Sequence, residues 1–166
     1  MTPFEKTNRV TSPFGYREYW NKGKLVKEHH NGGDIVPTAY SGEALPTKAW
    51  DFREVTGGVV AKIGYDIWRG KYVDVQTAPG VIERYQHCAV IYVKKGQPVP
   101  QGTVLGRAGA TGNVTGAHLH FEVLVNGKPV DPTPWLGLPN KAGTYAGNST
   151  VDGAASAPGL KTLTVG

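Results

Sequence analysis

His118 and His120 stand one residue apart in TGNVTGAHLHFEV, residues 111–123 of a chain with only five histidines. On an extended strand side chains alternate faces, so both imidazoles point to one side, followed there by Glu122. Leu119 and Phe121 point to the other. Two charged imidazoles held together repel, and a cation beside them removes that objection; a polar, half-exposed strand face is the other reading of H-x-H taken alone. A second group changes the balance. The segment KEHHNGGDIV carries His29, His30 and Asp34 around Gly32 and Gly33, just ahead of Ile35-Val36. In His30-x-Gly32-x-Asp34 the glycines permit a bend that lets an imidazole and a carboxylate converge on one point. Zinc accepts both donor types at about 2.0–2.2 Å, and two histidines with one carboxylate and an open fourth position are the donor set of a catalytic site. Calcium fits less well, because imidazole is a poor ligand for so hard an ion. His87, in VIERYQHCAV, is a weak signal alone and gains weight only beside these groups.

These side chains need a scaffold, and the composition supplies one. With 23 glycines, 12 prolines and many Val, Tyr and Thr residues, the chain reads as β-rich, and no amphipathic helix of any length stands out. Strands are expected over 58–63, 71–77, 81–85, 90–93, 103–108 and 118–125. Asn126-Gly127 between them and Lys128-Pro129-Val130 is a two-residue hairpin signal. Closely spaced strands with short turns predict an all-β fold, an antiparallel sheet folded over as a small sandwich or barrel. A chain of 166 residues fits one domain. We place it at 1–138, with 139–166, rich in Gly, Ala, Ser and Thr, as a linker or disordered tail.

Charge and cysteine content narrow the classes. The net charge of +5 favours an acidic partner, yet the basic residues are scattered and the densest run is Lys94-Lys95. No nucleic-acid motif accompanies them, so no nucleic-acid partner is expected. No stretch approaches the ~20 apolar residues of a membrane span, so no membrane insertion is expected. The single cysteine, Cys88, excludes an intramolecular disulfide.

The motifs in order carry a family likeness. Ser12-Pro13-Phe14-Gly15-Tyr16-Arg17 comes first, then His30-x-Gly32-x-Asp34 and Arg84-Tyr85-Gln86-His87. After them come Lys95-Gly96-Gln97-Pro98-Val99-Pro100-Gln101-Gly102, Gly109-Ala110-Thr111-Gly112 and His118-Leu119-His120-Phe121-Glu122, closed by Asn126-Gly127 and Val130-Asp131-Pro132. Over roughly residues 10–136 the chain resembles the lysostaphin/LytM family of zinc endopeptidases, which cut the peptide part of bacterial peptidoglycan. The resemblance implies an antiparallel sheet groove open at one side, with long loops around the site. It implies zinc held by His30, Asp34 and His120, and His118 and His87 flanking a zinc-activated water as acid/base and transition-state partners. The substrate it implies is a stem or cross-bridge peptide of the wall, and the protein is expected to act there as a monomer. His29 falls outside the motif register and is expected at the surface, and Glu122 is expected to orient a ligand rather than to be one. The family also has an aromatic hydroxyl near its groove; Tyr16, Tyr19 and Tyr40 all remain open for it.

The chain departs from common members in the long stretch between Asp34 and the next strand, PTAYSGEALPTKAWDFREVTGG, expected to form a groove wall that sets specificity. The opening MTPFEKTNRV has no apolar leader and no long segment that blocks a site, so delivery to the wall, extracellular or by a phage, is expected to come from elsewhere. Two rival readings are a catalytically silent wall-binding relative and a scaffold β domain. All five implied positions are present, which weakens the first. The run 93–106 is similar to hairpins of lipoyl- and biotin-carrying domains, but no lysine stands at a suitable tip and the only methionine is Met1.

Overall fold

The computed structural model describes residues 1–148. In chain order these form β1 (Thr7–Ser12), β2 (Gly15–Asn21), β3 (Lys24–His30), β4 (Gly33–Val36), β5 (Asp51–Arg53), β6 (Gly57–Asp66) and β7 (Gly70–Ala78). Then come β8 (Val81–Ile91), β9 (Pro98–Pro100), β10 (Val104–Ala108), β11 (Leu119–Val125), β12 (Lys128–Val130), a short helix α1 (Thr133–Leu136) and β13 (Gly143–Ala146). Among the described residues eleven of these strands share one sheet, ordered β13-β1-β4-β11-β8-β7-β6-β9 along its main path, with β10, β5 and β12 attached to it. The pairings are antiparallel throughout, as expected, and the path is open, the groove form that the family resemblance implied and not the barrel that the strand and turn pattern also allowed. β2 and β3 make a separate two-stranded hairpin.

Burial fixes which way the chemistry faces. Leu119, Phe121 and Val123 on β11 are fully buried, as are Val73 and Val75 on β7 and Tyr85 on β8. Each large apolar side chain so removed from water contributes about 1.5–3 kcal/mol. A slip of one residue would send this whole set outward and turn His120 and Glu122 into the core, so the apolar alternation of β11 locks the histidines onto the opposite face. The core continues through Phe52 stacked on Tyr85, with ring centres 5.3 Å apart, and Tyr85 edge-on to Phe121 at 5.0 Å. The Asn-Gly hairpin forms as expected, with Asn126 at φ 50° and Gly127 at φ 82°.

Two expectations change. The composition-poor stretch from 139 is partly strand: Gly143–Ala146 pairs with β1 from Thr7↔Ala146 to Val10↔Gly143, and the Asn148 Oδ1 accepts the Thr2 N–H at 2.9 Å. The edge of β1 needs a partner for its backbone groups, and Tyr145 packs partly against the core. The rest of the expected tail, 149–166, lies outside the described residues. The long stretch after Asp34 also does not wall the groove. Its Phe52 and Glu54 are fully buried on the core side of the sheet, where Glu54 Oε1 accepts from the Tyr85 hydroxyl at 3.0 Å. Burial, and then the charge of Glu54, pushes the neighbouring Glu83 carboxyl well above its usual range. Cys88 is likewise buried, and its thiol is pushed up to about 12, which makes it a packing residue and no nucleophile. Among the described residues no helix is long and apolar enough to cross a membrane.

Candidate metal centre and groove

Three adjacent strands bring the sequence-predicted residues together. Asp34 on β4 pairs with His120 on β11, which pairs in turn with Gln86 on β8, so the three side chains share the groove face of the sheet. His30 arrives from the end of β3. One donor atom each from His30, Asp34 and His120 lies within 4.8 Å of the others. His30 Nε2 is 3.4 Å from Asp34 Oδ2, and His120 Nδ1 is 2.8 Å from Asp34 Oδ1. Glu122 is placed on the far side of His120, accepting its Nε2–H at 2.8 Å, and so orients that ring from behind.

The neighbours fix which ring nitrogen each histidine presents. His30 donates Nδ1–H to the Pro13 carbonyl at 3.0 Å, with Ser12 Oγ also 3.4 Å away, which turns Nε2 toward Asp34. Arg17 donates to Ser12 Oγ at 2.9 Å and stands 3.7 Å from Asp34 Oδ2. The Ser12-to-Arg17 motif is therefore a brace for the site. Burial alone would raise the Asp34 carboxyl, but hydrogen bonds from His120 and His30 hold it well below the ordinary carboxylate range. Burial would lower His120, yet its hydrogen bonds to Asp34 and Glu122 carry it up to about 9. In the absence of a metal a protonated imidazole thus sits between two carboxylates, supplying there the positive charge that a cation would bring.

The reason for glycine at 32 differs from the expected bend. Gly32 has no positive φ. A Cβ there would meet the Phe121 carbonyl oxygen at 2.3 Å and His120 Nε2 at 3.0 Å, so glycine is required because this loop presses on β11. Gly32→Ala is accordingly expected to push the loop before β4 away from β11, loosen the His30–Asp34–His120 cluster and cost about 1–3 kcal/mol. Zinc titration and thermal melting of the variant check this.

His87 reaches the same face by an irregularity that alternation does not foretell. Tyr85 faces the core, so strict period-two would bury His87 with it. Instead Lys71 pairs with Cys88 and Val73 with Tyr85, leaving Gln86 and His87 together opposite Tyr72: a β-bulge. His87 adopts φ 65°, a left-handed conformation unusual for a side chain of its size. The bulge is held by the His87 N–H to the Arg69 carbonyl at 2.9 Å and by the Gly109 N–H to the His87 carbonyl at 3.0 Å. The ring donates Nδ1–H to the Thr111 carbonyl at 2.8 Å, which gives the Gly109-to-Gly112 motif its purpose. Burial, ahead of the nearby imidazoles, pulls His87 below the usual value. His118 donates Nδ1–H to the Gly116 carbonyl at 2.9 Å, and its Nε2 is 3.7 Å from Asp34 Oδ1. The His87 and His118 ring centres are 4.9 Å apart. Each therefore keeps Nε2 free of backbone partners beside the His30–Asp34–His120 cluster.

These groups lie in a groove of about 920 Å³. Tyr19 and Trp20 of the β2–β3 hairpin line it, as do Trp68 at the β6–β7 turn and residues 113–116, and its floor is β8 and β11. Trp20 is 73% exposed and Trp68 65%, so both side chains are available to a ligand. The sequence reading missed them; isolated tryptophans beside turn residues were the available signal. Of the three candidate tyrosines only Tyr19 lines the groove. Tyr16 is exposed and bonded to Glu18, and Tyr40 is exposed outside the groove. His29 is exposed, edge-on to Phe14.

Known proteins share this arrangement of chain. The chain is 36% identical over 129 residues to the peptidoglycan DD-endopeptidase ShyA of Vibrio cholerae serotype O1, covering 78% of this chain and 28% of that protein. It thus spans between a quarter and a third of the length of the curated relatives it matches first. A solved zinc containing peptidase from Vibrio cholerae superposes with a TM-score of 0.61 at 36% identity, covering 78% of this chain and 37% of that one. The catalytic domain of a variant of the prophage-encoded M23 protein EnpA from Enterococcus faecalis gives 0.60 at 26% identity, covering 80% and 91%. The family model for peptidase family M23 matches residues 47–132, about half of the chain and most of the strands that build the groove floor. The chain belongs to peptidase family M23.

Proposed function

We propose that this chain is the catalytic domain of a zinc-dependent endopeptidase that hydrolyses peptide bonds in the stem or cross-bridge of bacterial peptidoglycan, acting at the cell wall. The observation that carries the reading is the convergence of His30 Nε2, Asp34 and His120 Nδ1 in an open groove. The donor set suits zinc: two neutral-capable imidazoles and a carboxylate, each imidazole with its other nitrogen already tied to an oxygen. Three protein donors beside the groove would leave zinc room for solvent or substrate, as catalytic rather than structural sites do.

Bound there, zinc would supply Lewis acidity toward a peptide carbonyl and toward water. The chain's own residues do the rest. His87, held neutral by burial, accepts a proton at Nε2 from the attacking water and returns it to the departing amine. His118, with Nε2 3.7 Å from Asp34 Oδ1 and Nδ1–H given to the Gly116 carbonyl, would act as the imidazolium, donating from Nε2 to the oxygen that gains negative charge. The floor strands and the Trp20 and Trp68 walls hold the peptide extended across these groups.

The test is digestion of purified peptidoglycan with one equivalent of zinc, followed by mass spectrometry of the released fragments. Expected are new amines at internal peptide bonds, lost on chelation and restored by zinc. Intact peptides, or cuts in the glycan alone, would reject the proposal.

A further inference from the structure

Three arginines line the groove: Arg17, Arg69 and Arg84. Arg17 is committed to Ser12, Glu28 and Asp34. Arg84 stands on the floor, directly across from Glu122 and two pairs along from His120↔Gln86. Its Nε and Nη2 donate to the two oxygens of buried Asp74 at 2.8 and 3.0 Å. That bidentate pair fixes the guanidinium plane and leaves Nη1 without a protein partner among the described residues. Arg69, beside the bulge that carries His87, uses Nη1 for Asp66 at 2.7 Å. Both guanidinium carbons sit 5.5 Å from the centre of one ring, that of Tyr72, and Lys62 Nζ is 5.6 Å from it. Three cations thus converge on one ring beside Asp66, Asp74 and Glu122, the last of these already accepting from His120, and the aspartate pairs hold both guanidinium groups in place.

We propose that Arg69 and Arg84 form a carboxylate-binding subsite, so that the preferred substrate carries a free carboxylate within two residues of the scissile bond. The proposal rests on the endopeptidase reading and names the substrate class for it. Two residues along a strand span about 6.6 Å, the separation of Arg84 from the position paired with His120, and an extended peptide lying on the floor advances at the same rate. A planar guanidinium with unused N–H groups suits a carboxylate, whereas a carboxamide offers neither the charge nor two acceptor oxygens.

The experiment compares wall peptide dimers with the same dimers after conversion of their carboxylates to carboxamides. The zinc-loaded protein is expected to favour the acid form at least about tenfold in kcat/KM. In Arg69→Gln the preference falls below about threefold, chiefly through KM for the acid form. Arg84→Lys, which keeps a cation beside Asp74, narrows it in part. A merely structural arginine would change rate or melting temperature without changing this ratio. Equal kcat/KM for the two peptides, or an unchanged preference in Arg69→Gln, would overturn the subsite. Hydrolysis of neither peptide by the unaltered protein would overturn the endopeptidase reading, and the subsite with it.

Discussion

Replacing His120 with alanine is expected to remove zinc and activity together. Bound metal should fall from about one equivalent to near none at micromolar protein, and wall hydrolysis by more than about 10³-fold. The size of the effect follows from where the ring sits. Nδ1 meets Asp34 and Nε2 meets Glu122, each at 2.8 Å, so one side chain is both a donor and the link between two partly buried carboxylates. Alanine removes the cation that links the two carboxylates and leaves Asp34 to His30 and Arg17 and Glu122 to the field of Arg84, so metal-free protein is expected to melt lower. Melting temperature is therefore measured alongside metal content. Asp34→Asn, which keeps shape and removes charge, should bind zinc poorly and melt below the metal-free parent, because the carboxylate that His120 and His30 hold in its charged form is lost; a cooperative melt shows that the fold itself survives.

His118→Ala is expected to keep its zinc and lose turnover by about 10² to 10⁴-fold, the range for a positioned acid or base. His87→Ala should do the same. Neither ring belongs to the three-donor cluster, and each holds its orientation through a backbone carbonyl rather than through a ligand. The two differ in stability. His87 occupies φ 65°, so His87→Gly removes a left-handed side chain and should melt no lower than the parent while turnover is lost. Metal analysis, melting and a wall turbidity assay on these variants check each statement. A fully active His118→Ala protein would reject the assigned roles.

How much of this was legible in the sequence depends on the strand. From residue 58 onward the alternation is strong and turn residues separate the runs, so β6, β7, β10 and β11 were expected nearly where they form, while β8 was expected as two strands, 81–85 and 90–93, and is one, Val81–Ile91, carried through the bulge at His87. The N-terminal strands were not expected. β2 and β3 form a hairpin whose more covered face carries polar residues, Arg17 on β2 and Glu28 and His30 beside Val26 on β3, so the alternation of burial is there but no apolar alternation announces it. β13 was masked by its composition, since Gly143-Thr144-Tyr145-Ala146 pairs with an edge strand and buries little of its own. The five implied site positions were legible as motifs in order. Their meeting depends on register between strands far apart in sequence, such as Asp34 with His120, and no local signal encodes that. His87 shows the limit best: nothing in VIERYQHCAV announces a bulge, because no glycine marks it. The long stretch after Asp34 misled for the opposite reason. Its aromatic and charged residues look like a groove wall, yet Phe52 and Glu54 serve the core.

The measurement that reaches the central claim most directly is X-ray absorption at the zinc edge, on protein given one equivalent of zinc after complete metal removal. The account predicts a four-fold shell of light atoms at about 2.0–2.1 Å, two of them imidazole nitrogens, with one imidazole lost in His30→Ala and again in His120→Ala. A shell without imidazole, a shell unchanged by both substitutions, or no stoichiometric zinc at all would contradict it.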